Sequence, residues 1–345
     1  KTTISLGVAA WAWEALKEGF VRHDQHDLIF FSLVLVALCL VRLPRAPLAL
    51  QVGVIAIAAV LACLAAGGPP RPMRSPVEDV AALANEVRDL AWPGRWAGVE
   101  RYARLQLLAT GDALPPALVV SLRGRTVAAV PFEDALSFAY PGLRWRPEPV
   151  LQGYSAYTSY LDDADAAFLA GPRAPDLMLW LPGTIDGRDD IWDPPATVEA
   201  MYCHYRWLGA SQAWSLLGRV PGRCGAPHLI GRTVARFGQV ITVPRPPQPA
   251  EMVAADFSVS SPLSAEVAGL ALKPPPLWVT VDGHRYRFIG GTARDLHVMS
   301  VPASLGYPSA LQAVAYQQLS FAGGGWRPGH GSVRVTFYSI SVTGG

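Results

Sequence analysis

Two long stretches without any charge, residues 28–41 and 46–66, most constrain what this chain can fold into. The second is broken only by one glutamine, and its roughly 20 residues match the length that a helix needs to cross the hydrocarbon core of a bilayer. The first has only about 14 residues and crosses only if Asp27 and Arg42 lie at the two interfaces. Because a tight Arg-Leu-Pro-Arg turn joins them, they predict a membrane helical hairpin with arms at about 27–43 and 46–66.

The residues before the hairpin indicate that the chain is a piece of a longer membrane protein. Residues 3–18 carry Trp11 and Trp13 in an apolar run, which is typical of an interfacial helix or of the end of another span. The first residue is a lysine, and the basic head and small-residue cleavage site of a signal peptide are missing. We therefore expect N-terminal membrane helices of the same protein to precede this sequence.

Basic residues and cysteines together favour one orientation. Arg42 and Arg45 in the turn of the hairpin favour the cytoplasm for that turn, although basic residues at the opposite ends nearly cancel the bias. Cys203 and Cys224 lie in more polar sequence, where we favour a disulfide in an oxidising compartment over two unrelated buried thiols. We accordingly expect a protein of the bacterial inner membrane whose residues after about 67 are extracytoplasmic.

The later sequence changes pattern near residue 226. Residues 68–76 form a linker rich in Pro and Gly, and residues 77–226 alternate strand-like and helix-like segments, which predicts a small α/β domain. The stretch 117–122 is assigned to a strand because of its β-type composition. Short β runs between Pro and Gly turns over 227–345 predict a β-sandwich. The expected fold is a membrane α-helical hairpin, then an α/β domain, then a C-terminal all-β domain that is jelly-roll-like.

Composition and motifs exclude several classes of function. The net charge is +2 and the sequence has no run rich in Lys and Arg, which argues against nucleic acid as a partner. The sequence lacks the GxSxG, Walker A and GxGxxG motifs in the contexts that would give them meaning. Serine-hydrolase and nucleotide-binding functions are therefore disfavoured.

Three stretches resemble a group of bacterial polytopic membrane proteins. They are LKEGFVRHDQH at residues 16–26, PEPVLQGYSAYTSYL at 147–161, and the segment 174–205 that begins APDLMLWLPGTIDGRDD. The first two match the group's elements FKxGFVRHDxH and RPVFQSYSAYTPYLD, with Gly153 and Ser159 standing where Ser and Pro are usual. The layout is similar to that of GT-C-like envelope-polysaccharide glycosyltransferases and polymerases, which implies activity on polyprenyl-linked sugars.

The first stretch supplies the candidate catalytic residues Arg22, His23, Asp24 and His26, at the mouth of a membrane segment where ionisable groups are costly. With a polyprenyl-phosphate donor, Arg22 pairs with the leaving phosphate, and Asp24 or His23 deprotonates an acceptor hydroxyl. Alternatively, Asp24 and His26 hold a divalent cation, although two ligands are too few to define a metal site. Lys17 in the same stretch is assigned to substrate binding. The competing interpretation is a solvated loop that only marks the membrane boundary.

The other two stretches supply the remaining residues predicted to bind substrate. These residues are Tyr154, Ser155, Tyr157, Thr158, Asp186 and Arg188. Tyrosine faces and hydroxyl groups suit a sugar ring, and loops at the carboxyl ends of strands are where α/β sheets bind ligands. The alternatives are an ordinary packed segment for the tyrosines and an Asp-Gly turn with a local ion pair for the loop. A cation held by Asp189, Asp190 and Asp193 would lack EF-hand spacing.

Together the stretches predict a protein that transfers or polymerises sugars from a polyprenyl-phosphate-linked donor at the outer membrane–water interface. The expected partners are membrane lipid, the lipid-linked sugar or glycan, and the protein's own upstream helices. No cofactor is identified beyond the alternative of a divalent cation. One rival hypothesis is a non-catalytic membrane-tethered module for glycan binding or assembly, and a third is a transporter that relays protons through the His/Asp cluster. The sequence leaves the enzymatic and non-catalytic hypotheses both open.

Overall fold

The computed structural model describes residues 48–65, 81, 84–85, 87–88, 91–131, 135–260, 276–307, 314–323 and 331–343. These residues fall into two compact units, one formed by those before residue 88 and the other by those from residue 88 onward. The sheets and all the contacts reported below belong to the second unit.

The first unit contributes helix α1, Leu48–Ala65. Among the helices of the described ranges, none is both long and apolar enough to cross a membrane. The prediction of a fold that begins with a membrane hairpin is therefore wrong. The other predicted arm, 27–43, and the interfacial helix at 3–18 lie outside the described residues.

The second unit begins with helices packed beside a mixed sheet. The helices are α2 (Trp96–Thr110), α3 (Pro116–Leu122), α4 (Ala135–Ala139), α5 (Ser159–Ala170) and α6 (Pro195–His204). The strand expected at 117–122 is helix α3 instead. Pro116 occupies its first turn, where a missing N–H costs nothing, and Leu118 and Leu122 bury one face at helical spacing.

The mixed sheet has five strands in the order β2-β1-β3-β5-β4. The strands are β1 (Thr126–Val130), β2 (Arg144–Trp145), β3 (Leu177–Trp180), β4 (Tyr205–Ser211) and β5 (Trp214–Arg219). β1 runs parallel to both β2 and β3, whereas β5 is antiparallel to both β3 and β4. All four residues of β3 are buried, as expected for a central strand covered on both faces. The predicted α/β alternation is thus present.

The C-terminal strands form two four-stranded antiparallel sheets, β10-β9-β12-β7 and β11-β8-β13-β6. Their bounds are β6 (His228–Arg236), β7 (Ile241–Thr242), β8 (Glu251–Ser260), β9 (Leu277–Val281), β10 (His284–Phe288), β11 (His297–Ser300), β12 (Gln318–Gly323) and β13 (Ser332–Ser341). Among these strands, β6 pairs with β13 and β7 pairs with β12. This nested pairing is the strand order of a jelly roll, so the sheet-rich C-terminal part agrees with the prediction.

Aromatic side chains fill the space between the two sheets. Phe257 of β8 packs against Phe288 of β10 and Phe321 of β12, with ring centroids 5.4 and 5.2 Å apart. Asp282 and Gly283 form the hairpin turn between β9 and β10, with φ values of 47° and 88°. This is the turn expected from the Asp-Gly pair, because both positions require the left-handed conformation.

Candidate functional site

The candidate site lies where the parallel strands β1, β2 and β3 end. Because the three strands run in the same direction, the segments that follow them emerge at one edge of the sheet. These segments are Pro131 after β1, the tyrosine-rich stretch 152–158 after β2, and the loop 182–194 after β3. We call this region the carboxyl edge. Two of the three stretches identified in the sequence therefore meet at one place.

The tyrosine-rich stretch is fixed against the end of β1 by Gly153. This residue opens a 3-10 turn, Gly153–Ser155, and its N–H donates to the carbonyl of Pro131 at 2.6 Å. A Cβ atom at Gly153 would lie 3.0 Å from that carbonyl oxygen and 3.3 Å from Cδ of Pro194. The backbone can come this close because the residue is glycine.

Arg188 joins the two stretches. One terminal nitrogen donates to the carboxylate of Asp193 at 2.9 and 3.0 Å and to the carbonyl oxygen of Tyr154 at 2.7 Å. The other donates to the hydroxyl of Tyr157, and the guanidinium carbon lies 4.6 Å from the centroid of the Tyr157 ring. The Arg188 side chain is only 1% exposed. A side chain so enclosed positions its neighbours instead of meeting a ligand.

Asp186 connects the carboxyl edge to the jelly roll. Its carboxylate accepts a hydrogen bond from Arg287 of β10 at 2.7 Å and lies 3.7 Å from Arg188. Beside it, the carbonyl of Gly187 accepts from the backbone N–H of Arg287 at 2.8 Å. Asp186 and Gly187 have positive φ values of 58° and 68°, the conformation that the predicted Asp-Gly turn requires. The local ion pair of the competing interpretation is therefore present, and it extends to a second arginine.

Several side chains of the edge remain available to a ligand. Tyr157 is 39% exposed and Tyr160, at the start of α5, is 82% exposed. Thr158 is exposed, and Ser155 and Asp186 are half-buried. These groups offer aromatic surface, hydroxyls and a carboxylate in one region, a mixture that suits a polyhydroxylated ligand.

The predicted residues thus divide into three groups. Tyr157 and Asp186 are together at the edge and are joined through Arg188, while Tyr154 contributes its backbone carbonyl to the same arginine. Ser155 and Thr158 belong to the same short segment. The remaining predicted residues are Lys17, Arg22, His23, Asp24 and His26. All five lie outside the described part of the chain.

Three of the four aspartates in the loop after β3 were considered above as ligands of one cation, and they are Asp189, Asp190 and Asp193. Asp189 accepts the hydroxyl of Tyr316 at 3.0 Å and the backbone N–H of Ile191 at 2.9 Å. Asp193 is bound to Arg188, and its pKa is raised to about 6 because burial outweighs the neighbouring guanidinium. Burial also raises the pKa of Asp190. With Asp189 and Asp193 each committed to a different partner, the arrangement does not form the shared cation site considered above.

Trp192 anchors the same loop between the sheets of the jelly roll. Its indole N–H donates to the carbonyl of Val298 at 2.9 Å, and its ring meets those of Phe257 and Tyr316 at centroid distances of 5.7 and 5.6 Å. The loop that carries Asp186 and Arg188 is therefore held from both ends. A ligand at the carboxyl edge would meet a preformed surface.

A buried carboxyl cluster near the edge was missed by sequence reasoning. Asp162 of α5 accepts three hydrogen bonds of 2.8 Å from Ala196 and Thr197, which satisfies the first turn of α6. Burial raises the pKa of Asp295 to about 7, and the nearby charge of Asp162 adds to the effect. Burial and Asp162 likewise raise the pKa of Glu199 to about 7. Asp162 lies on α5, Glu199 on α6 and Asp295 in the turn before β11. They are far apart in the sequence, so no local spacing predicts the cluster.

Cys203 and Cys224 form the predicted disulfide, with their Cα atoms 5.0 Å apart. Within the described ranges, one group of three metal-ligating residues was found, formed by these two cysteines and Glu199. Both sulfur atoms are bonded to each other and cannot act as thiolates, so this group does not fit a metal ion.

Comparison of the chain with protein-family models found no match, and neither the curated proteins nor the solved structures gave a significant one.

Proposed function

We propose that the chain belongs to a bacterial envelope protein that transfers or polymerises sugars from a polyprenyl-phosphate-linked donor, and that the carboxyl edge holds the glycan. The observation that carries the proposal is the meeting of two separate stretches at that edge. Tyr157 and Asp186 both contact the same buried side chain, that of Arg188, while part of their own surface stays exposed. Such an arrangement presents a tyrosine ring and a carboxylate in fixed positions, which reduces the ordering cost of binding.

The chemistry of the exposed groups favours a sugar over an apolar ligand. A sugar ring offers C–H surface to the Tyr157 ring, and its hydroxyls can donate to Asp186 and exchange hydrogen bonds with Ser155 and Thr158. The transfer itself is assigned to Arg22 and Asp24 on the resemblance of their stretch to the polytopic membrane proteins. The disulfide supports the proposed extracytoplasmic location, since such bonds persist in oxidising compartments.

The test is to replace Tyr157 by alanine in the full-length protein and to measure both surface polysaccharide and binding of the isolated glycan. Loss of the stacking surface should weaken glycan binding about tenfold and lower the amount of polysaccharide. Tyr102→Ala is the matched control, because Tyr102 is an exposed tyrosine on α2, 65% accessible. Normal polysaccharide and normal binding from a Tyr157→Ala protein present at wild-type abundance would overturn the proposal.

A non-catalytic glycan-binding module is the second candidate, and one observation favours it. The charged groups at the centre of the edge, Arg188 and Asp193, are bound to each other and buried, so they are not placed to act on a substrate. The two candidates differ at Asp24. If the protein is an enzyme, Asp24→Asn should abolish polysaccharide without changing glycan binding at the edge. If it is a binding module, polysaccharide should persist.

A further inference from the structure

A cavity of about 330 Å³ opens at one end of the jelly roll. Its wall is formed by the end of β7 with the proline-rich turn after it, by the end of β11, and by the residues that lead into β12. The polar residues in its lining are Thr242, Arg245, Ser300, Tyr316, Gln317 and Gln318. Pro244 and Pro246 add apolar surface.

The side chains of this cavity have unused hydrogen-bonding capacity. Ser300 Oγ is buried and has no hydrogen-bond partner among the described residues. Arg245, Gln317 and Gln318 make no side-chain hydrogen bond to any residue of the described ranges either. The exposed guanidinium and amide groups of Arg245, Gln317 and Gln318 are therefore available to a polar ligand in the cavity.

The backbone of the wall, in contrast, is held by several hydrogen bonds. The Asp282 carboxylate accepts the N–H groups of Gln317 and Gln318 at 3.1 and 2.8 Å, and the carbonyl of Gln317 accepts from Val243 at 2.9 Å. Tyr316 is held by its hydroxyl on Asp189. These hydrogen bonds therefore fix the backbone of the wall, so a ligand in the cavity would not have to order it.

The chemistry of the lining selects the class of ligand. The two glutamine amides both donate and accept, which suits neighbouring hydroxyls, and the proline rings offer a surface for C–H groups. The guanidinium of Arg245, exposed at the rim, matches a carboxylate bidentately. We propose that this cavity binds one acidic sugar residue, with its carboxylate on Arg245 and its hydroxyls on Gln317 and Gln318. The proposal does not depend on the glycan site at the carboxyl edge.

The experiment measures binding of three small probes to the full chain by saturation-transfer NMR and calorimetry: methyl glucuronide, methyl glucoside and inorganic phosphate. The glucuronide should bind about tenfold more tightly than the glucoside, because only the former pairs with Arg245. Arg245→Ala should remove that difference, while Gln317→Ala should weaken both sugars. Arg334→Ala, which replaces an exposed arginine on β13, is the matched control and should bind like the wild type.

Ser300→Ala separates binding from folding. It removes a buried hydroxyl that lacks a partner and that a ligand in the cavity cannot reach, so the variant should unfold at a temperature at least equal to that of the wild type while binding the glucuronide as the wild type does. Three results would overturn the proposal: no binding of either sugar, equal affinity for glucoside and glucuronide, or displacement of the glucuronide by an equal concentration of phosphate. The last result would indicate a general anion site.

Discussion

The most constrained residue at the carboxyl edge is Arg188. Its charge is removed from water, and the buried carboxylate of Asp193 compensates it at 2.9 Å. A buried ion pair of this kind contributes little net stability against an apolar pair of similar size, but breaking it leaves one charge without a partner. The pair therefore fixes the positions of Tyr154 and Tyr157 more than it strengthens the fold.

Replacement of Arg188 by methionine should lower the free energy of unfolding by about 3–5 kcal/mol, because Asp193 is left buried and unpaired. The double variant Arg188→Met with Asp193→Leu should recover most of that loss. Chemical denaturation measures both. Arg285→Met is the control, since Arg285 is an exposed arginine stacked on Trp278. This change should lower the free energy of unfolding by less than about 1 kcal/mol. A double variant as unstable as the single one would contradict this account of the pair.

Glu199 should make stability depend on pH. Its pKa rises from 4.5 to about 7 on folding, first through burial and then through the charge of Asp162. Between these values the folded state holds more protons than the unfolded state, so stability falls as the pH rises through this window. Glu199→Gln should remove this loss and be more stable than the wild type at pH 8, by an amount on the order of 2 kcal/mol.

The measurement for Glu199 is thermal unfolding of both proteins from pH 4 to pH 8. Glu100→Gln is the control, because Glu100 lies on the surface of α2 in an i,i+4 ion pair with Arg104. The control should leave the pH profile unchanged apart from a small shift. A Glu199→Gln profile parallel to that of the wild type would contradict the assignment.

At the scale of elements, the tyrosine-rich stretch and the turn before β11 make an unusually close contact. A Cβ atom on Gly291 would lie 1.9 Å from the carbonyl oxygen of Tyr157, and Ser159 donates to the carbonyl of Gly291 at 3.2 Å. Only glycine allows this approach. The contact holds the start of α5, and with it the exposed face of Tyr157, against the jelly roll.

Gly291→Ala should therefore destabilise the protein by about 3 kcal/mol and weaken the glycan binding that we propose for the carboxyl edge. The adjacent Gly290→Ala is the matched control, since a Cβ there meets nothing within 4 Å, and it should change stability by less than about 0.5 kcal/mol. Urea denaturation of the two variants makes the comparison. Equal effects of both changes would show that backbone freedom, and not the contact with Tyr157, explains the need for glycine.

Elements with a strong local signal were predictable from the sequence. The Asp-Gly pair at 282–283 is a strong local signal for a hairpin turn, and the four apolar residues of β3 are one for a buried strand. The meeting of the tyrosine-rich stretch and the loop at one edge depends on the parallel pairing of β1 with β2 and β3, which the sequence does not show. Helix α3 was not predicted, because its composition favours a strand. Pro116 in its first turn and the burial of Leu118 and Leu122 on one face stabilise a helix instead. The pairing of Asp186 with Arg287 joins residues 101 positions apart and has no local signature.

At the scale of the whole molecule, the mixed sheet and the jelly roll belong to one compact unit. The change in composition near residue 226 does mark the passage from β5 to β6. However, Trp192 of the first part lies in the aromatic core of the second, and the guanidinium of Arg223 donates to the carbonyl of Thr343 at 3.2 Å. These contacts couple the folding of the two parts, so the unit from residue 88 onward should unfold in one transition.

The disulfide should stabilise that whole transition, because it links the end of α6 to Cys224, which forms a β-bridge with Val342 beyond β13. The cysteines are separated by 21 positions, and closing a loop of this size should contribute about 3 kcal/mol. Reduction should therefore lower the midpoint temperature of unfolding while leaving one cooperative transition. Near- and far-ultraviolet circular dichroism should both show this transition at the same temperature. The variant Cys203→Ser with Cys224→Ser should match the reduced protein and be insensitive to reductant. Two separate transitions after reduction would show that the sheet and the jelly roll fold independently.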